Sequence, residues 1–137
     1  MDGPGVIEKV GLLVFKDKKF LMVRSYKNDE VFYLLGGKIN KGESDIDCIK
    51  REVQEEVGCD VDEASIKFLS EFQDVAHGKE NMLLRVRVYT GELIGKPKAS
   101  SEIAEVAWFD SNSPKKHFSE IAQRKYLPWL KKAGYIN

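Results

Sequence analysis

Apolar and polar positions change period several times along the chain, and each change marks an element. Val6 to Phe15 is apolar and rich in β-branched residues, Lys16 to Lys19 reads as a turn, and Phe20 to Arg24 repeats the strand pattern, which together predict a hairpin. Tyr26 to Glu30 is polar and loop-like, and Val31 to Leu35 is a short strand running into Gly36. The period then lengthens: Ile46, Ile49, Val53 and Val57 form one stripe of a helix spanning Asp45 to Val57. Ser44 followed by Asp47 resembles a capping box, and Gly58 stands where such a helix would stop. Ile66 to Gln73 and Met82 to Ile94 return to strand patterns, joined by the turn-like His77 to Asn81, in which His77 reads as an exposed loop residue. Gly95 to Ser101 is a polar connection to the strand Ile103 to Phe109. Pro114 to His117 is basic and loop-like. Ser119 to Leu127 predicts a second helix, interrupted by Pro128 and resuming from Trp129 to Lys132. Strands on either side of one helix, with a second helix near the end, predict an α/β fold with a mixed sheet between helices.

Composition narrows the function classes. A chain of 137 residues suits one domain, 1–137, large enough to bury a real core. Acidic and basic residues balance at 22 each, so no overall field draws the protein to nucleic acid or membrane, and partners must be recognised locally. Cys48 and Cys59, if both lay on the helix, would stand roughly 16 Å apart along its axis, too far for a disulfide. That fits a reducing, cytoplasmic setting. No positively charged segment leads into an apolar run at the amino terminus, and no run of apolar residues is long enough to cross a membrane, so a soluble, unexported protein is expected.

The candidate chemistry lies between Gly36 and Cys59. Spacings of three and four residues bring Glu52, Glu55 and Glu56 onto one face of the predicted helix. Like charges at those spacings repel, so a compensating cation is expected. Mg²⁺ suits carboxylate, carbonyl and water oxygens and bridges carboxylates to phosphates, with Mn²⁺ as the alternative. Gly36, Gly37 and Gly42 let the preceding backbone turn tightly and bring a carbonyl close to an ion. No His or Cys stands at zinc-ligand spacing here, which disfavours zinc. A solvated acidic helix face is the competing account, and composition by itself favours it.

The whole pattern shifts that balance. Gly37, Glu43 and the run Arg51, Glu52, Val53, Gln54, Glu55, Glu56, Val57, Gly58 resemble the signature of the Nudix hydrolase family, MutT-like branch, at every fixed position. Two neighbours depart from it: Cys59 stands where a bulky aliphatic residue is usual, and Leu35 replaces the proline that commonly precedes the glycine pair. The resemblance implies an α/β/α sandwich and a metal site made by Glu52, Glu55, Glu56 and the Gly37 carbonyl. It also implies a further carboxylate from a loop shortly before a Trp-containing strand. Glu102, six residues before Trp108, holds that place, with Glu105 as runner-up. Glu52 and Glu102 are both candidates for general base. Arg51 and Glu43 read as a supporting ion pair that fixes the loop against the helix. For substrate binding, the resemblance points to Arg24 at the end of its strand, where a solvated strand end is the competing account. Lys38, which follows the glycines, is a phosphate candidate, and His117 and Phe118 lie where related folds place base-recognising residues.

The activity implied is metal-dependent pyrophosphohydrolysis of a nucleoside diphosphate derivative, with a (d)NTP giving monophosphate and pyrophosphate as the leading substrate. Hydrolysis of ADP-ribose-type or dinucleotide polyphosphate substrates is the alternative within the family. A nucleotide-binding regulatory module without turnover, or a plain interaction domain, is the alternative outside catalysis. Many family members are homodimers; no interface is legible in this sequence.

Overall fold

The computed structural model describes residues 5–27, 30–76 and 79–137. The chain runs through β1 (Gly5–Leu13), β2 (Phe15–Lys16), β3 (Lys19–Ser25), β4 (Tyr33–Lys38), α1 (Asp45–Val57), β5 (Asp60–Val61), β6 (Lys67–Ala76), β7 (Lys79–Thr90), β8 (Leu93–Ile94), β9 (Ile103–Phe109) and α2 (Leu127–Ala133). A π-helical turn, Ala122–Tyr126, leads directly into α2. The main sheet has the order β2-β3-β4-β1-β7-β6, with β9 paired to β3; β5 and β8 form a separate two-stranded sheet. β1 and β7 run parallel and the other pairs antiparallel, so the main sheet is mixed.

Both faces of this sheet are covered, and strand alternation divides the core accordingly. Val10, Leu12, Leu21, Val23 and Leu35 pack with Ile49, Val53 and Val57 of α1. Leu13, Phe20, Met22, Val86 and Val88 pack with Ile121, Tyr126, Leu127 and Leu130 on the other side. The result is an α/β/α sandwich, with α1 and the C-terminal helical segment on opposite faces.

Several local expectations are corrected. The hairpin is confined to its tip, where Phe15 pairs with Phe20 and Lys16 with Lys19 around Asp17 and Lys18, both at positive φ. That is the mirror-image turn that matches strand twist. Beyond the tip, β1 leaves β3 and pairs with β4 and β7. β4 does not stop at Leu35 but continues through Gly36 and Gly37 to Lys38. Leu35 is fully buried in the core, and where a proline would tend to end a strand it allows the ladder to run on. The strand expected from Met82 to Ile94 breaks after Thr90, and its last part joins the small sheet as β8.

Pro128 does not interrupt the second helix. It sits in the first turn of α2, where its missing N–H is tolerated, and the preceding turn widens so that the Leu127 N–H donates to the Ala122 carbonyl. On α1 the buried stripe is Cys48, Ile49, Val53 and Val57, while Ile46 is only half-buried. His77 lies outside the described residues.

Candidate active site

α1 holds its position through its first turns. The Ser44 hydroxyl accepts the Asp47 N–H at 3.1 Å, closing the N-cap, and Gly58 at φ 68° ends the helix in the left-handed conformation. Arg87 donates from Nε and Nη2 to Asp45 at 2.8 and 2.9 Å, and the Tyr89 hydroxyl donates to the same carboxylate at 2.6 Å. β7 thereby fixes the start of α1, and the Arg87 guanidinium holds the Asp45 carboxyl below its ordinary range.

One turn further along, Arg51 organises the approach loop. Its Nε and Nη2 donate to the two Glu43 oxygens at 2.7 and 3.0 Å, and Nη2 also donates to the Lys38 carbonyl at 3.2 Å. With the Asn40 N–H donating to Glu43 at 3.0 Å, these bonds lower the Glu43 carboxyl to about 2. The segment between the glycine pair and α1 is therefore clamped to the helix.

The three clustered glutamates have three different environments. The Glu52 carboxylate accepts Arg51 Nη1 at 2.5 Å and lies against Gly37, where a Cβ would run into it. Glu55 is half exposed, with one oxygen 3.5 Å from Arg51 Nη1. Glu56 is turned inward and accepts the Gly36 N–H at 3.0 Å. Burial, with repulsion from Glu52 and Glu55 behind it, pushes Glu56 up to about 8. Burial also raises Glu52, against the opposing pull of Arg51. Gly36 has φ +127°, and a Cβ there would strike the Val10 carbonyl, so only glycine lets the strand present this N–H to Glu56.

Glu102 is brought to the same place by backbone bonding. The Lys98 and Ser100 N–H groups donate to the Val57 and Glu56 carbonyls at 3.1 and 3.0 Å, satisfying acceptors that the end of a helix leaves free. The connection before β9 thus docks on the end of α1, and Ser101 at φ 55° turns the chain there. Glu52, Glu55, Glu56 and Glu102 line one cavity of about 180 Å³.

This donor set suits a hard divalent cation: it is all oxygen, strongly acidic, partly buried, and admitted by a glycine whose side chain would fill the space. The donors are gathered but not converged. Among the described residues, no three carboxylate, imidazole or thiol side chains already meet as a metal cage. Arg51 holds Glu52 and Gly36 holds Glu56 in the positions found.

A second cavity of about 280 Å³ shares Glu52, Glu56, Glu102 and Ile103 with the first. Lys9, Lys38 and the glycine pair line it, as do Leu34, Leu84, Val86 and Ile121 and the buried residues Ser119 and Tyr126. Of the substrate-binding candidates, only Lys38 belongs to this wall. Arg24 instead donates to Glu105, its register partner on β9, at 3.1 Å and lies over the Phe32 ring, which occupies both Arg24 and Glu105. His117 Nδ1 lies 2.8 Å from the Glu30 carbonyl, and its ring packs edge-on against Phe32. Phe118 is 3% exposed and packs on Phe109 in the core. A bridge between Phe32 and Phe118 draws this turn onto the start of β4 and away from the cavity.

Lys9, Ser119 and Tyr126 were not legible as site residues. Lys9 stands opposite Lys38 in the β1–β4 register, and its charge opposes the upward shift of Glu56. Only strand pairing brings it there, and no spacing in the sequence encodes that pairing.

Comparison with known proteins agrees with this architecture. The model of the NUDIX domain matches residues 7–130. mRNA-decapping enzyme subunit 2 of Saccharomyces cerevisiae is 29% identical over 126 residues, covering 88% of this chain but only 12% of that relative's length. The solution structure of the E. coli ORF135 protein superposes with a TM-score of 0.72 at 18% identity, covering 96% of this chain and 94% of that one. The E. coli dihydroneopterin triphosphate pyrophosphohydrolase does so with a TM-score of 0.71 at 13% identity, covering 97% and 100%. At these identities the structural likenesses speak for the fold alone. With the family match running through nearly the whole chain and the glutamates on the helix it expects, the chain belongs to the NUDIX family.

Proposed function

We propose that the protein hydrolyses a phosphoric anhydride bond in a nucleoside diphosphate derivative with the help of divalent cations, and that a nucleoside triphosphate, cleaved to monophosphate and pyrophosphate, is its substrate. The observation that carries this reading is the junction of the two cavities: four carboxylates line one, two lysines and an apolar wall line the other, and Glu52, Glu56 and Glu102 belong to both.

Glu52, Glu55, Glu56 and Glu102 would hold the cation, with the Gly37 carbonyl beside them; Mg²⁺ is the natural occupant and Mn²⁺ the alternative. Bound there, the cation would neutralise charge on the phosphoryl oxygens and acidify an attacking water. The chain's own contribution is positional. Lys9 and Lys38 on facing strands attract the polyphosphate electrostatically. The Arg51–Glu43 clamp keeps the glycine loop against α1, and Glu52 or Glu102 accepts the water's proton. The apolar wall receives the non-phosphate group and excludes water from it.

A second reading follows from the decapping relative: the anhydride could be that of an mRNA cap, with only the cap end entering the cleft. A panel of nucleoside di- and triphosphates, ADP-ribose, dinucleotide polyphosphates and a capped oligonucleotide, assayed with Mg²⁺ or Mn²⁺ and with products identified, separates these substrates. Glu56→Gln is expected to reduce turnover of the preferred one by about 10³-fold. Full activity in both Glu55→Gln and Glu56→Gln would remove the assignment.

A further inference from the structure

Ser119 has no part in the phosphate chemistry, yet it is the most constrained polar group in the cleft. It is 3% exposed, and its Oγ has no hydrogen-bond partner. A buried hydroxyl left in that state costs about 1–3 kcal/mol, and folded chains keep such groups satisfied unless something else completes them. Its position is fixed from several directions. The Ser119 carbonyl accepts the Gln123 N–H at 3.0 Å, and the Gln123 side chain donates to the neighbouring Phe118 carbonyl at 2.9 Å.

Tyr126 stands beside it, placed by the π-helical turn, a rare widening that recurs at functional sites. Burial pushes its phenol upward, and the adjacent Ser119 hydroxyl offsets part of that shift without reaching hydrogen-bond geometry. Tyr33 of β4 adds a third hydroxyl near the same phenol. Around these groups the wall is aliphatic, from Val23, Leu34, Leu84, Val86 and Ile121. The volume of about 280 Å³ lies at the small end of ligand pockets, room for one ring system and not for two.

Resting on the reading of the cleft as a nucleotide site, we propose that Ser119 and Tyr126 form its specificity end: they hydrogen-bond the polar edge of a single nucleobase-sized heteroaromatic ring held between aliphatic walls. A ring that presents an acceptor or donor to these hydroxyls completes Ser119, and one without a polar edge leaves it unpaired. Discrimination by a buried, unsatisfied hydroxyl is stronger than discrimination by shape. A second base of a dinucleotide polyphosphate would remain outside.

Binding, measured without turnover, keeps this inference separate from the hydrolytic one. The full chain is titrated by calorimetry with each of the common nucleoside monophosphates and with ribose 5-phosphate, which lacks the base, for the wild type, Ser119→Ala and Tyr126→Phe. The expected result is that the wild type prefers one base, that each variant weakens that nucleotide by about tenfold, equivalent to about 1.4 kcal/mol, and that ribose 5-phosphate binds all three proteins alike. Parallel loss of ribose 5-phosphate binding would show a structural role and overturn the proposal. So would an unchanged base ranking in both variants, or a wild type that binds no monophosphate better than ribose 5-phosphate. Base-selective binding without hydrolysis of any anhydride would leave this inference standing and sink the catalytic one.

Discussion

The two helical segments on either face of the sheet were built by opposite means. In α1 every local rule agrees: a Ser44 cap, an apolar stripe, a left-handed Gly58, and acidic side chains displaced to one side. In the C-terminal segment the local rule is broken, because Pro128 stands inside the helix and the chain absorbs it by widening the turn before it. The regular helix presents charge to one end of the cleft, and the irregular one presents Ser119 and Tyr126 to the other. A regular scaffold suits groups that must be held close together against their own repulsion, whereas a special turn suits a pocket whose shape selects a substrate.

The sharpest way to break that contrast is at Gly37. Alanine there would drive its Cβ into the Glu52 carboxylate and leave the fold otherwise intact, so turnover should fall by about 10²-fold with little change in melting temperature. Normal turnover in Gly37→Ala would show that the position of Glu52 is immaterial.

Arg51→Ala removes the clamp, and the expected outcome is a melting temperature lowered by several degrees, with Arg51→Lys restoring only part because it cannot hold Glu43 bidentately. The pH dependence has a definite sign. Glu43, at about 2 in the folded chain against an ordinary 4.5, stabilises fully above the ordinary value and loses that contribution as pH falls toward 2. Asp45, also lowered, acts in the same direction. Melting temperatures recorded from pH 6 down to pH 2 should therefore fall less steeply for Glu43→Gln than for the wild type.

The smallest effect is expected at Pro128. Alanine returns the missing N–H and lets the π turn relax, changing stability by no more than about 1 kcal/mol. Moving Tyr126 should raise KM for the preferred nucleotide while leaving kcat nearly constant. A change in kcat alone would tie this segment to the chemistry and erase the distinction between the two ends.

Much of the acidic end was legible in the sequence because its information is local. Cap, stripe and glutamate spacing all sit within a few turns, and α1 spans Asp45–Val57, the expected range. Glu102 depended on the family resemblance, and the loop that docks on the Glu56 and Val57 carbonyls puts it among the same carboxylates. The other end was not legible, for equally physical reasons. Lys9 faces Lys38 through strand register, and Arg24 is drawn to Glu105 the same way. Phe118, with the same apolar character as a base-stacking residue, went into the core, because nothing in composition separates a ring that packs from a ring that binds.

The account rests on α1 holding a divalent cation. The direct test is Mn²⁺ binding to the full chain, followed by electron paramagnetic resonance, for the wild type and for Glu52→Gln combined with Glu56→Gln. The wild type should bind Mn²⁺ in competition with excess Mg²⁺, and the double variant should bind it at least about tenfold more weakly at an unchanged or higher melting temperature. Equal Mn²⁺ affinity in the two proteins would contradict the account.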